Sequence, residues 1–326
     1  MNQTTTWNPP TRHHESFKAV VQSYIQLTKP RIIPLLLIET AAAMSVASQG
    51  QVDPVLLMVT LLSGTLAAAS AQTINCVYDR DIDYDMERTR HRPLPSGRIQ
   101  IRDALVFAGV LAVLAFGLQV WVANLLSAVL AMVGLAIYVG VYTYWLKRSS
   151  PQNIVIGGAA GAIPPLVGWA AVTGDLPLAA WLFFFIVFIW TPPHFWGLAM
   201  LIQDDYAKVN VPMMPVVAGD ESTAQQIWYY TLVLVPLTIM MTYPLGATGV
   251  VYAAIALGLG AVFIQRAWAL LKEPSDRGLA KGLFKYSIFY MMLLSAGMVV
   301  DSWPVTRAVV ASVSSQLGAV VGMLPF

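Results

Sequence analysis

The sequence predicts an all-α protein threaded repeatedly through a membrane, and three observations carry that prediction. Of its 326 residues, 57% are hydrophobic and only 11% are charged, giving a mean hydropathy of +0.64; water-soluble domains typically carry about 25% charge. Apolar windows of the roughly 20 residues needed to cross a bilayer recur nine times. The charges that do occur collect between alternate windows. Several such windows build one bundle within the bilayer, because in lipid every backbone polar group must be bonded inside a helix. The lipid bilayer is thus one expected partner; a net charge of +2 gives no case for a nucleic-acid partner.

Along the chain, residues 1–28 are expected to form a cytoplasmic leader. They lack the ordered basic, apolar and cleavage regions of a signal peptide, so the first apolar run is a retained span. The nine windows lie near 31–50, 54–75, 104–121, 123–143, 153–172, 178–201, 226–245, 247–267 and 284–302. Connectors at 51–53, 122, 173–177 and 246 are short, whereas those at 76–103, 202–225 and 268–283 are long and polar. With the N-terminus in the cytoplasm, every one of the 19 Lys and Arg residues except Arg307 falls on that side or at its interface, as the positive-inside rule requires. The tail 303–326 is expected on the outer side, as an interfacial helix or a tenth span. The single cysteine, Cys76, reads as a small apolar residue, since it has no disulfide partner and fits no metal pattern.

Bends are expected at Pro164-Pro165 and Pro192-Pro193, where backbone donors are missing inside apolar windows. In GGAAG, Gly157 and Gly161 are four apart, a spacing that lets two helices approach closely.

Charge is densest in NCVYDRDIDYDMERTRHRPLP, which places five acids and four arginines between Asp79 and Arg92. On a helix Asn75, Asp79 and Asp83 share one face, and Asp81 and Asp85 lie on another. Oxygen-only ligands favour a hard cation such as Mg²⁺, which typically bridges carboxylates to substrate phosphate. A calcium loop is excluded, because Tyr84 and Arg90 stand where its glycine and terminal glutamate belong. Arg88, Arg90 and Arg92 are topological anchors, phosphate-binding groups or both. A second polar island follows the sixth span: Asp204, Asp205, Tyr206, Lys208 and Asn210. Facing the first island, it would let two acidic faces hold two metal ions around one diphosphate, with Lys208 on the phosphate oxygens. Lys29 and Arg31 add basic groups on the same side. His194 lies beside a Pro-Pro pair inside the sixth span, as a packing residue, a substrate contact or a haem-type ligand. Glu39 is a carboxylate inside the first span, where its cost implies a function or a helix-linking partner.

These residues and their neighbours resemble the intramembrane aromatic prenyltransferases, and within them the haem-modifying branch. The resemblance rests on N-x-x-x-D-x-x-x-D at Asn75, Asp79 and Asp83, then on M-x-R-T-x-x-R-P-L-P at Met86, Arg88, Thr89 and Arg92 to Pro95. It extends through LTKPRI at 27–32, TPPHFWGLA at 191–199, DDYAKVNVPMMPVV at 204–217 and SIFYMMLLSAGMVVD at 287–301, and so covers about residues 20–302. It implies a bundle of nine transmembrane helices around a central cavity with polar cytoplasmic loops, filling 29–302, in a bacterial cytoplasmic (inner) membrane. It implies a Mg²⁺-dependent transfer of farnesyl from farnesyl diphosphate to the 2-vinyl group of protohaem IX, with water addition. Asn75, Asp79 and Asp83 would hold metal and diphosphate, and Asp204 and Asp205 a second site, for one or two ions. Lys29, Arg31, Arg88, Arg92 and Tyr206 would contact substrate, and His194 would orient haem, which is a substrate and not a cofactor. The second acidic pair departs from the D-x-x-x-D spacing of many relatives outside the haem branch, which argues against a symmetric two-metal clamp. A haem A synthase or terminal oxidase assembly would be the protein partner. Prenyl transfer to another ring such as a quinone precursor, an ion-path transporter and a haem-binding assembly factor are the competing readings.

Overall fold

The computed structural model describes residues 16–309 and residue 312. The start of the leader, with His13 and His14, and residues 310, 311 and 313–326 of the tail lie outside the described residues. Among the described residues the regular elements are all helical, in the order α1 (Phe17–Leu27), α2 (Ile33–Ala47), α3 (Pro54–Tyr78), α4 (Arg80–Asp85), α5 (Ile101–Val122), α6 (Leu125–Ala136), a π-helical turn segment Ile137–Leu146, α7 (Asn153–Thr173), α8 (Leu178–Leu201), α9 (Gln203–Lys208), α10 (Met214–Met240), α11 (Val250–Lys272) and α12 (Arg277–Ser302).

Local chemistry sets several of these ends. Asp53 caps α3, its Oδ1 accepting from the Leu56 N–H at 2.8 Å, with Pro54 as first helical residue; both choices satisfy or remove donors that a helix start leaves open. Asn124 caps α6 in the same way and donates from its Nδ2 to the Ala170 carbonyl on α7 at 2.6 Å. Gly174, at φ 70°, terminates α7 in the left-handed conformation that glycine adopts without strain. The start of α11 is capped from a distance: the buried Asp301 carboxylate on α12 accepts from the Gly249 N–H. A negative group there also complements the helix dipole.

Seven of the described helices are long and apolar enough to cross a membrane: α3, α5, α6 with its π-helical continuation, α7, α8, α11 and α12. The protein is therefore an all-α polytopic membrane protein. Two predicted windows fall short of that standard for visible reasons. The first window holds only the 15 residues of α2, and α10 ends at Met240, so a spanning stretch of it takes in the polar Thr223, Gln225 and Gln226.

Neighbouring helices in the sequence pack on one another, and α12 returns onto α2 to close the ring. The closing contact includes a buried hydrogen bond of 2.7 Å between the hydroxyls of Ser45 and Ser302. The main core lies among α7, α8, α10, α11 and α12, with Trp196, Phe183, Tyr252 and Phe263 essentially without exposure. On the other side of the ring, α2, α3, α6, α7 and α8 enclose a cavity of about 270 Å³.

Three sequence expectations change in detail. Helices α7 and α8 run on without a break through both Pro-Pro pairs, and α10 carries a non-helical residue at Gly219. A helix absent from the sequence reading, α1, occupies the leader; Arg98 holds it through Ser23 Oγ (3.1 Å) and Gln26 Oε1 (3.0 Å). The close-packed glycines are Gly157 and Gly158, not Gly157 and Gly161. A Cβ on Gly157 would lie 2.5 Å from Tyr142 Cδ2, one on Gly158 2.8 Å from Thr191 Cγ2, and one on Gly161 would meet nothing within 4 Å because that position opens to the cavity. Gly157→Ala is thus expected to destabilise the protein by about 1–3 kcal/mol through overpacking against Tyr142, and Gly161→Ala to stay within about 0.5 kcal/mol of the parent; denaturant midpoints of the membrane-embedded protein measure both.

Candidate active site

Asn75 stands in the last turn of α3, and the helical hydrogen-bond spacing carries on into α4: the Asp79 N–H donates to the Asn75 carbonyl at 2.9 Å and the Asp83 N–H to the Asp79 carbonyl at 2.8 Å. The 4-residue phase read from the sequence is therefore preserved across the helix junction. Asn75, Asp79 and Asp83 are 2%, 1% and 4% exposed, whereas Asp81 and Asp85 face out.

Burying two carboxylates is costly unless they are paired, and each has its own cation. The Lys147 ammonium pairs with Asp79. Arg92 donates from one terminal nitrogen to both oxygens of Asp83, at 2.9 and 2.7 Å. Asn75 joins the groups: its Oδ1 accepts from Lys29 Nζ at 2.5 Å, and its Nδ2 donates to Asp79 Oδ2 at 2.8 Å and to Thr143 Oγ1 at 3.1 Å. Lys29 is held below the ordinary lysine range, first by desolvation and then by the neighbouring charges of Arg92 and Lys147, with Cys76 and Asp79 opposing. One acceptor stays unused. Asp79 Oδ1 is buried with no hydrogen bond, and the Arg148 guanidinium is 3.9 Å from it.

On the outer side Arg148 forks onto Asp81 at 2.7 and 2.6 Å. Burial alone would raise the Asp81 carboxyl, but the Arg148 hydrogen bonds and charge, helped by backbone donors, hold it below its ordinary value of 3.8. A carboxylate lowered on folding stabilises the fold fully above its unfolded value and loses that contribution as pH falls through the folded one. The side chain is 60% exposed, so the pair contributes under about 1 kcal/mol. Asp81→Asn is expected to cost no more than that at pH 7, with the difference from the parent fading as pH falls through the lowered carboxyl value, and to leave turnover within about threefold.

The motif that follows α4 divides by burial. Met86, Thr89 and Leu94 are 3%, 1% and 2% exposed, and the Thr89 hydroxyl donates to the Asp83 carbonyl at 2.9 Å. This fixes the turn that sends Arg92 back onto Asp83. Arg88 points across to the second island, where its Nε lies 3.5 Å from Asp205 Oδ2. The two islands are joined at that contact. Within α9, Asp205 and Tyr206 are half-buried and Asp204 and Lys208 are exposed; Arg31 is exposed just before α2. Burial pushes the Tyr206 phenol up to about 12, so it remains a hydrogen-bond donor at neutral pH. Among the described residues no three His, Cys, Asp or Glu side chains form a ready-made metal cage.

Lys147, Arg148, Tyr138, Tyr142 and Thr143 are site residues that the sequence reading missed. They sit on or just after the π-helical segment, whose wider turn changes which residues share a face. The Thr143 hydroxyl donates to the Tyr138 carbonyl at 2.9 Å, and the Tyr138 hydroxyl to Gln72 Oε1 at 3.0 Å. The only sequence signal was a Lys-Arg pair just after the fourth window, counted among the charges on the cytoplasmic side.

Gln72, Tyr138 and Tyr142 line the cavity, which is apolar over most of its wall. Gln72 lies one helical turn before Asn75, so the charged cluster begins one turn beyond the cavity wall on α3. His194 is on the wall, 9% exposed, stacked on Trp190 with ring centres 4.4 Å apart. Its Nδ1 is 2.7 Å from the Ser287 hydroxyl, leaving Nε2 as the ring nitrogen available for a ligand.

A closed helical ring in the membrane, with buried carboxylates and cations at the mouth of a greasy cavity, defines an intramembrane enzyme for an amphiphile with a charged head. The chain belongs to the UbiA prenyltransferase family, whose profile matches residues 36–293. It is 66% identical over 310 residues to the protoheme IX farnesyltransferase of Trichormus variabilis, covering 95% of this chain and 98% of that one. To the protoheme IX farnesyltransferase of a Cyanothece strain it is 64% identical over 322 residues, 99% of each chain. Among solved structures, a digeranylgeranylglyceryl phosphate synthase shares the fold at TM-score 0.72 and 20% identity, over 87% of this chain and 99% of that one. A UbiA homologue from Archaeoglobus fulgidus, solved with GPP and Mg²⁺ bound, does so at TM-score 0.61 and 16% identity, over 85% and 99%.

Proposed function

We propose that this protein transfers the farnesyl group of farnesyl diphosphate to the 2-vinyl group of protohaem IX, with addition of water, to give haem O and diphosphate. The observation that carries the reading is the joining of a cation-lined carboxylate mouth to an apolar cavity with His194 on its wall, in a chain so similar to protoheme IX farnesyltransferases.

The mouth fits Mg²⁺, because the buried Asp79 Oδ1 accepts no hydrogen bond and a Mg²⁺ site commonly uses only one or two carboxylates besides substrate phosphate. Asn75, Asp79 and Asp83 would hold the ion, with Asp204 and Asp205 assigned to a second, and bound Mg²⁺ supplies electrostatic stabilisation to the departing diphosphate. Lys29, Lys147 and Arg92 add fixed positive charge beside the same oxygens, where low dielectric strengthens it. Arg88, Arg31 and Lys208 complete the basic rim, and the Tyr206 phenol donates to phosphate. The prenyl chain lies in the apolar cavity, whose walls keep bulk water from the allylic cation as the C–O bond breaks. His194 orients haem through Nε2, with Ser287 fixing its ring. In this reading α2 and α10 also cross the bilayer, making nine spans in residues 29–302, with leader 1–28 cytoplasmic and tail 303–326 outside, in a bacterial inner membrane. Delivery of product to a haem A synthase or terminal oxidase assembly is proposed on family resemblance alone.

The test offers bilayer-embedded protein farnesyl diphosphate together with haem B and a phenolic quinone precursor. Haem O is the expected product, lost when Mg²⁺ is chelated and regained when it is restored. A prenylated phenol without haem O would overturn the reading.

A further inference from the structure

Glu39 is the one cavity-lining acid among the described residues, and nothing assigned so far uses it. It is 1% exposed on α2, and neither carboxyl oxygen has a hydrogen-bond partner. A buried group of this kind is retained at a cost of at least about 1–3 kcal/mol if nothing ever satisfies it. A second orphan lies on the same cavity wall: Thr60 on α3 is 1% exposed, and its hydroxyl oxygen also lacks a partner. The surrounding wall is built from residues such as Leu36, Ala67, Ile163 and Val167, which offer a polar molecule nothing. Two acceptor oxygens and a hydroxyl without partners on the wall of one cavity are polar groups of the kind that a held water needs.

We propose that Glu39, assisted by Thr60, holds the water that completes the reaction and takes its proton. The inference rests on the haem-farnesylation reading. When the farnesyl C1–O bond breaks, its electron pair leaves with diphosphate, and the terminal carbon of the vinyl group uses its π pair to bond C1. That leaves positive charge on the vinyl carbon next to the porphyrin ring. The water oxygen bonds to that carbon, and one water proton passes to the Glu39 carboxylate, leaving a neutral hydroxyl. A general base held at hydrogen-bond distance is worth about 100-fold or more in such a step. Placement away from the mouth has a second consequence: the carboxylate acts after diphosphate has begun to leave, so ionisation and water capture are separable by mutation. Without capture, the same cation is discharged by loss of a proton from the neighbouring carbon, giving an alkene one water lighter than haem O.

The experiment follows diphosphate release and the mass of the haem product for the full-length protein in bilayers, supplied with farnesyl diphosphate, haem B and Mg²⁺. The parent is expected to make haem O. Glu39→Gln is expected to release diphosphate within about threefold of the parent while its ratio of haem O to the water-less product falls about 100-fold. Thr60→Val, which keeps the side-chain shape, should shift the ratio in the same direction by about tenfold, and it decides the matter if the Glu39 variant does not insert. Unchanged product composition in both folded variants overturns the role of Glu39 and Thr60. So does a loss of diphosphate release equal to the loss of haem O. A parent that makes no haem O overturns the underlying function instead.

Discussion

Replacing Asp79 by asparagine is expected to lower diphosphate release and haem O formation together by about 100-fold or more, with the helical bundle still inserted. Asp79 is the acid whose side chain is buried, bonded to Asn75, paired with Lys147 and still left with one unused oxygen. The exchange keeps shape and removes charge. Its effect therefore falls on what charge does at the mouth, which is to attract the ion that neutralises diphosphate. Loss of both products in the same proportion is the signature of a role in ionisation, in contrast to the separation expected at Glu39. Full activity in a folded Asp79→Asn protein would remove Asp79 from the metal site. Asp83→Asn is expected to do less, because Arg92 already takes up both of its oxygens and the site there is partly satisfied from within the chain.

The comparison between Asp79 and Asp81 shows what was legible in the sequence. Helical phase alone separates Asn75, Asp79 and Asp83 from Asp81 and Asp85, and the structure buries the first set and exposes the second. Apolar windows likewise anticipate the long helices, since length and hydropathy are local properties. The cations were not legible. Lys147 and Arg148 lie 68 and 67 residues from Asp79 and Asp81, and only the packing of α3 against the π-helical segment brings them over. A π-helix has no composition of its own, so a face counted at 3.6 residues per turn misplaces Tyr142, Thr143 and Lys147 relative to one another. The second island was legible as a polar cluster but not in its burial: of four polar groups within five residues of α9, Asp205 and Tyr206 are half-buried and Asp204 and Lys208 are exposed. Gly161 looked like a packing glycine because G-x-x-x-G is a spacing rule, but which face of α7 meets a helix and which meets a cavity depends on its neighbours.

Lys147→Gln is expected to destabilise the protein by about 3–5 kcal/mol, because it removes one partner of a buried pair and leaves the Asp79 charge in low dielectric. Adding Asp79→Asn should return most of that loss, since the double variant buries two neutral amides where the parent buries two charges. Lys29, bonded to Asn75 and itself held below the lysine range by burial and by Arg92 and Lys147, gains attraction to Asp79 once Lys147 is gone, which moves the single variant toward the lower end of the range. Activity should behave differently from stability. Asp79→Asn and the double variant stay about 100-fold or more below the parent, because neither a restored fold nor Lys29 supplies the missing carboxylate. A double-mutant cycle on unfolding in detergent micelles, run beside diphosphate release, reads the two quantities on the same proteins. A coupling energy near zero would mean that Lys147 and Asp79 are neighbours without being partners. Strong coupling in stability with no recovery of turnover would show that the lysine's hold on the carboxylate is what lets an apolar bundle keep a charged catalytic group at the mouth of its cavity.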